Sequence, residues 1–394
     1  MRISGAHAAV FAVGFFGLGF VPMMTVAVPL WALDIGATPF MIGLVLGARA
    51  ALSVVLSIPG GALMDRLGIN RIAAAAAIAA AVLFPLYPAL PSVAVLIVLQ
   101  LLTGFAQALV WMAAQAHVGR INRDDPGLMG RFSFVSTSGN LVAPVLCGTA
   151  WDVFGPVGAF SLIGIWGVAT LVTIGFLPKD VRPNESSREG TERRSWLGDY
   201  RDAFRIIKVP AVAFVVACSF LMTCVHALRH SFYPVYLESL DFSGVTIGVL
   251  VAVGSVVAGL SGLTAGPVSR KVSPNILLVV TIGTAAALLS SVVLFREFWQ
   301  LLGVATGWGV FSGIAFPLML YVLARSVNAE RQGISVGIRS TVNRFAGFVV
   351  PVAMGAAVDG FGLQTAFFVF GAVMLSALGL IALRLLPRAE REAG

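Results

Sequence analysis

The sequence predicts an all-α integral membrane protein of twelve transmembrane helices in two six-helix bundles. Three observations carry that expectation. Of 394 residues, 58% are hydrophobic and 11% charged, with a mean hydropathy of +0.94, whereas a soluble globular chain carries about 25% charged residues. Apolar runs of about 20 residues, long enough to cross a hydrocarbon core of ~30 Å, recur from end to end. Finally, one unit occurs twice in the same order, and such repeats govern every local reading.

The repeat is clearest in a polar hinge at residues 61–71, Gly-Ala-Leu-Met-Asp-Arg-Leu-Gly-Ile-Asn-Arg. Gly61 and Gly68 bracket Asp65 and Arg66, and Arg71 closes the stretch. A near-copy, Gly-Pro-Val-Ser-Arg-Lys-Val-Ser, begins at Gly266. The same register matches Pro29 to Pro234 and Gly43 to Gly248. A second pair of segments aligns Pro144, Gly148, Asp152 and Gly155 with Pro351, Gly355, Asp359 and Gly362. The expected organisation is an N-terminal bundle over 1–178, a linker over 179–208 and a C-terminal bundle over 209–394. The linker is polar through residue 194, a composition that does not support a core. Its second part, 196–207, has the pattern of an amphipathic helix on the membrane surface.

The first six spans are expected at 8–31, 39–63, 72–89, 93–118, 132–151 and 157–177. The second six are expected at 211–237, 245–267, 276–295, 299–323, 333–358 and 365–386. Span 1 continues to Trp31 without a small-residue cleavage site, so it reads as an uncleaved first helix. It ends on Trp31, an interface anchor, followed by Asp34. Span 2 carries Arg49 near its middle, with Ser53 and Ser57 on the same face. Span 3 opens with five alanines, 73–77, suited to close helix packing. Span 4 carries Gln100, Gln107, Trp111 and Gln115, with His117 at its end. In span 5, Gly139, Pro144 and Gly148 combine small residues with a proline, which favours close approach and a bend. Span 7 carries His226, Arg229 and His230 ahead of Pro234. Span 11 carries Arg339, Asn343 and Arg344, then Gly347 and Pro351. The three cysteines, Cys147, Cys218 and Cys224, all fall inside spans and fit no zinc or disulfide spacing.

Charge sets the expected orientation. Loops on one side hold Arg66, Arg71, Arg120, Arg123, Arg131, Arg270, Lys271, Arg325 and Arg331, and loops on the other hold only Arg296. By the positive-inside rule both termini and the linker are cytoplasmic, in the inner (plasma) membrane of the cell. The net charge of +8 then reads as topology and contact with anionic membrane lipid, not as nucleic-acid binding. There is no nucleotide loop of the form Gly-x-x-x-x-Gly-Lys, no metal triad and no nucleophile–base set. Neither an enzyme, a metal nor a cofactor is expected.

With these motifs in hand, the chain resembles the major facilitator superfamily of secondary transporters over nearly its whole length. The 61–71 stretch matches the family's signature between helices 2 and 3, and the 266–273 copy matches its degenerate counterpart, with Arg270 where the first half has Asp65. Span 5 is similar to the antiporter signature of drug exporters, although Ala143 and Cys147 replace two of its glycines. Gln100 stands where the family often has an arginine tied to proton coupling. The resemblance implies gating roles for Gly61, Asp65, Arg66, Gly68, Arg71, Gly139, Pro144 and Gly148. It also implies a substrate cavity lined from helices 1, 4, 7 and 10, where Gln107, Trp111, Phe311 and Phe316 fall.

The sharpest chemical clue is cationic. Arg49, Arg229, Arg339 and Arg344 lie within spans, yet no Asp or Glu sits near the middle of any span. A mid-membrane arginine costs at least about 2.5–3.5 kcal/mol on insertion scales, so it faces a cavity and a partner. A bound anion would supply the missing charge; the structural alternatives are backbone carbonyls or waters for Arg49 and Arg344, Asp34 or Glu238 for Arg229, and snorkelling for Arg339. By the resemblance, spans 2 and 11 pack together, which would bring Arg49 and Arg344 towards one cavity. Arg49, Arg344, Arg229, Asn343, Arg339, Gln107 and Trp111 are therefore the expected substrate-binding residues. His226 and His230 flank Arg229 on one helix face and titrate near neutrality, so they and Asp34 are the expected proton carriers. The expected function is proton-coupled efflux of a small anionic or zwitterionic organic molecule by a monomer. The alternatives are an organic-anion uptake symporter and a lipid flippase.

Overall fold

The computed structural model describes residues 5–121, 126–177, 210–326 and 329–393. Within these ranges the side chains of 6, 57–63, 65, 66, 118–121, 126–130, 133, 211, 323–326, 329–338 and 387–393 stand outside the description. The expected linker helix at 196–207, and the side chains of Asp65 and Arg66, therefore lie outside the described residues, as does Gly61 beyond its place in a helix.

All regular structure among the described residues is helical. The elements are α1 (Gly5–Asp34), α2 (Pro39–Leu67), α3 (Ile69–Leu83), α4 (Leu86–Ala89), α5 (Val93–Ile121) and α6 (Pro126–Gly175), then α7 (Pro210–Glu238), α8 (Gly244–Gly262) and α9 (Ala265–Ser269). They continue as α10 (Pro274–Ser290), α11 (Phe298–Ser326), α12 (Ala329–Phe361) and α13 (Leu363–Ala393), with a 3-10 turn, Ser291–Leu294, extending α10. Among the described residues, eleven segments are long and apolar enough to cross a membrane. One of them, Phe134–Gly175, has 42 residues, about 63 Å of helix and twice a bilayer core. Gly155 interrupts it at φ 64° and ψ −160°. Only glycine adopts that backbone readily, so the segment is two spans and the described residues hold the expected twelve. Gly362, at φ 79°, makes the corresponding break between α12 and α13. The polar hinge is also built on a glycine. Gly68, at φ 95°, ends α2 by donating its N–H to Met64 O at 2.9 Å, and α3 starts beside it.

By packing, the chain divides into two compact units. The first joins residues 1–180 to Leu228–Val256 and Phe348–Leu363; the second joins 181–227 to Val257–Gly347 and Gln364–Gly394. In the first unit α1 packs along α6, α2 along α5, and α3 against both. An aromatic stack runs through its core. Phe20, Phe84, Tyr87 and Phe160 lie nearly parallel, with successive centroids 5.9, 5.6 and 4.7 Å apart. Polar atoms at its edge find partners within the stack region. Tyr87 Oη is 2.8 Å from Thr103 Oγ1, and Trp31 Nε1 donates to Tyr87 O at 3.1 Å. In the second unit α10 packs on α11. Gly313 brings α11 against the Ala258 carbonyl, and Ser261 Oγ donates to Gly309 O at 3.1 Å.

One end of the first unit is built from the repeated Pro-x-x-x-Gly-x-x-x-Asp segments. Pro144 and Gly148 on α6 touch Gly248 and Gly244 on α8 backbone to backbone, leaving no room for a Cβ. Pro351 and Gly355 on α12 meet Gly43 and the Pro39 carbonyl on α2 in the same way. One turn further on, Asp152 accepts Gly244 N–H at 2.6 Å through Oδ1 and Val245 N–H at 2.8 Å through Oδ2. Asp359 Oδ2 accepts Phe40 N–H at 3.0 Å. Each recipient helix also has its own cap. Thr38 Oγ1 accepts Met41 N–H at 3.4 Å, and Ser243 Oγ accepts Thr246 N–H at 3.3 Å.

Candidate functional site

The expected site residues fall into a group in each unit. In the first unit, Arg49 is half-buried on α2, and its backbone and stem fill the space beside Gly104 of α5. Any side chain at Gly104 would displace it. Among the described residues Arg49 forms no hydrogen bond or ion pair. Polar atoms on α5 and α6 are likewise buried without hydrogen-bond partners among the described residues: Gln100 Oε1, Gln107 Nε2 and Ser136 Oγ. An unsatisfied buried polar group costs about 1–3 kcal/mol, so such a set suits an interior that is completed by water or a ligand. Trp111 stacks on Phe132 at 6.4 Å and 19° and packs at the edge of the α1–α3–α5 core. Its ring is thereby already engaged by protein.

The span 7 trio separates into different environments. Arg229 is 2% exposed and donates from Nη2 to the Val251 carbonyl of α8 at 2.6 Å. That bond is to a backbone carbonyl, where the sequence offers Asp34 or Glu238 as the structural partner. Tyr233 Oη, one turn further on, is buried with no hydrogen-bond partner among the described residues. His230 Nδ1 lies 3.0 Å from Thr25 Oγ1 of α1. These two positions are repeat equivalents, 205 residues apart, like Pro29 and Pro234. Asp34 is exposed at the end of α1.

In the second unit, His226 sets its ring against Trp308 of α11, 5.0 Å between centroids and 77° between planes. Asn343 of α12 meets Ser219 of α7 at 3.1 Å. In the amide orientation that satisfies both of its ends, Oδ1 accepts from Ser219 Oγ while Nδ2 donates to Thr223 Oγ1 and the Arg339 carbonyl, each at 3.2 Å. Arg339 places Cζ 6.0 Å from the Phe316 ring centroid, and its Nε is buried without a hydrogen bond among the described residues. Arg344 is half-buried on α12. Ser219, Thr223 and His226 share one face of α7, and Arg339 and Asn343 share one face of α12. This unit therefore gathers hydroxyls, an amide, an imidazole, a guanidinium and two aromatic faces.

The gating expectations divide too. Gly139 of α6 lies against the Phe15 carbonyl of α1, and Pro144 and Gly148 form the α8 contact described above. Gly68 is the α2–α3 joint, and Arg71 is exposed. Sequence reasoning did not single out Thr25, Ser219, Thr223 or Trp308, because a hydroxyl or indole in an apolar span carries no spacing signal of its own. It aligned Asp152 and Asp359 as repeat markers without seeing that they cap other helices. No group of three or more His, Cys, Asp or Glu residues that could hold a metal occurs among the described residues.

A family model described as the Major Facilitator Superfamily matches residues 9–349 and 231–394. An uncharacterized MFS-type transporter from Methanocaldococcus jannaschii is 21% identical over 370 residues, covering 93% of each chain. Among solved structures, a mutant of the nucleoside transporter NupG superposes with a TM-score of 0.80 at 13% identity, over 96% of this chain and 99% of that one. A bacterial homolog of the human lysosomal transporter Spinster, inward-facing and unoccupied, gives 0.76 at 13% identity, over 98% and 99%. At these identities the likeness to the solved structures is one of fold.

Proposed function

Because the chain belongs to the major facilitator superfamily, a family of membrane transporters rather than enzymes, we propose that it is a proton-coupled secondary carrier exporting a small anionic or zwitterionic organic molecule. The reading rests on one observation: Arg49 and Arg339 sit in membrane-spanning helices with no ion pair to any described carboxylate. A guanidinium in that position gains most from a planar, bidentate anion. Arg344 adds a third cation on the same helix as Arg339. The aromatic rings of Trp308 and Phe316, beside His226 and Arg339, favour a cargo with a flat face. The names of the structural neighbours include a nucleoside carrier, and a planar ring is the feature such a cargo would share with the one proposed here. The positive-inside pattern supports cytoplasmic termini in the plasma membrane. Protons would enter through His226, His230 or Asp34.

The test compares an organic acid with its own amide. Thermal-shift titration of the purified protein with a panel of aromatic and aliphatic acids, each paired with its neutral amide, should show stabilisation by an acid and not by its partner. Arg49→Gln and Arg344→Gln should each weaken that preference about tenfold or more, since a hydrogen bond to a charged group contributes about 1.5–3 kcal/mol. Equal stabilisation by acid and amide across the panel, or arginine variants that discriminate as well as the native protein, would rule out an anionic cargo.

A further inference from the structure

We propose that Asp152 and Asp359 form a paired latch that holds shut the end of the carrier opposite the 61–71 hinge, and that opening there requires both carboxylates to release the helices they cap. The proposal rests on alternating access and not on the charge of the cargo, so a failed acid–amide comparison leaves it standing.

The first N–H groups of any helix lack partners within that helix, and its N-terminus carries partial positive charge. At α8 the local cap Ser243 serves Thr246, and the Gly244 and Val245 amides are served by Asp152, a residue of α6. At α2 the local cap Thr38 serves Met41, and the Phe40 amide is served by Asp359 of α12. In both places one half of the sequence repeat supplies the carboxylate and the other half supplies the helix. Below each carboxylate the contact is glycine on backbone, with Gly148 against Gly244 and Gly355 against Gly43. Such a contact is close but has no side chains reaching across it. Pro144, Gly148 and Asp152 stand four residues apart, on a single helix face, as do Pro351, Gly355 and Asp359. One face therefore carries the bend, the close contact and the tie.

The chemistry also suits reversal. Exposed carboxylates and first-turn amides both find water readily when they part, so the tie is worth only the surplus of a charge-assisted hydrogen bond over its hydrated pieces. A switching protein needs ties of that size, because its two states must lie within a few kcal/mol of one another.

The experiment measures distances in the full-length protein in lipid nanodiscs, with Cys147, Cys218 and Cys224 replaced by alanine. Nitroxides at Phe154 on α6 and at Ser239, in the turn between α7 and α8, report on the first joint, and nitroxides at Met41 and Phe361 report on α2 and α12; all four positions are exposed. Pulsed dipolar spectroscopy should show a dominant short distance for each pair. Asp152→Asn keeps the side-chain shape but loses the charge. It should raise the long-to-short ratio of both pairs about tenfold. Asp359→Asn should also raise both, and the double variant should exceed either alone. Thr38→Ala and Ser243→Ala weaken the same helix ends without touching the cross-helix tie, and they should leave the distances unchanged. Unchanged distances in the double Asn variant overturn the latch. So does equal opening in the Thr38 and Ser243 variants, which would mean simple fraying. If an Asp variant does not fold, hydrogen exchange in the native protein decides. The Gly244, Val245 and Phe40 amides should share one opening rate, and independent rates overturn the proposal.

Discussion

His230 holds Thr25 at 3.0 Å from Nδ1, while His226 rests edge-on against Trp308. Both rings are half-buried in α7, where their protonation changes a charge inside the membrane. Losing a proton from either would alter the balance around the neighbouring cations. If these rings carry the coupling proton, replacing both with glutamine should flatten the pH profile of transport between about pH 5 and 8. Binding of the cargo at fixed pH should persist. Transport assayed across that range in proteoliposomes checks this, and an unchanged profile moves the proton site to Asp34. Arg229, between the two histidines in sequence, shows how far side-chain chemistry outruns spacing. Its place on the helical face was plain, but its bond to the Val251 carbonyl depends on where α8 packs, and no local pattern encodes that.

At the scale of the helix, glycine does two different things in this chain, and substitution separates them. Gly155 has open space around the position of a Cβ, so its only demand is the φ 64° backbone. Gly155→Ala should therefore lose about 1–3 kcal/mol of stability through backbone strain alone. Gly303 of α11 has equal room and ordinary helical geometry, so Gly303→Ala should gain about 0.5–1 kcal/mol. Thermal unfolding of the two variants in one detergent gives both signs. The spans themselves were readable in advance because a bilayer imposes length and apolarity on every one of them. Residues 211–237 were expected where Val212–Glu238 is found. The continuous run from Phe134 to Gly175 also reads as two spans from its length alone, and Gly155 marks the division. The partners of Asn343 were not readable, because Ser219 and Thr223 lie more than a hundred residues away in an otherwise apolar helix.

At the scale of the whole chain, the hinge at 61–71 and the end capped by Asp359 lie at opposite ends of one helix, α2. The resemblance of 61–71 to the family signature implies a gating role for Asp65, and that role has a test. Asp65→Asn should lower turnover at least tenfold while leaving expression and ligand-induced thermal stabilisation close to native. Wild-type turnover in that variant would remove the residue from the gate. The capped ends have a further consequence, one about ancestry. The first half of the repeat offers an aspartate to α8 and receives one at α2; the second half does the reverse. Each half thus carries one plug and one socket. A half-length chain bearing both would be complementary to a second copy of itself about a two-fold axis, as an isologous dimer requires. Duplication and fusion of such a chain would keep both joints intact from the first generation. The two halves could then diverge everywhere else, in cargo site and loops alike, without losing the means to find each other.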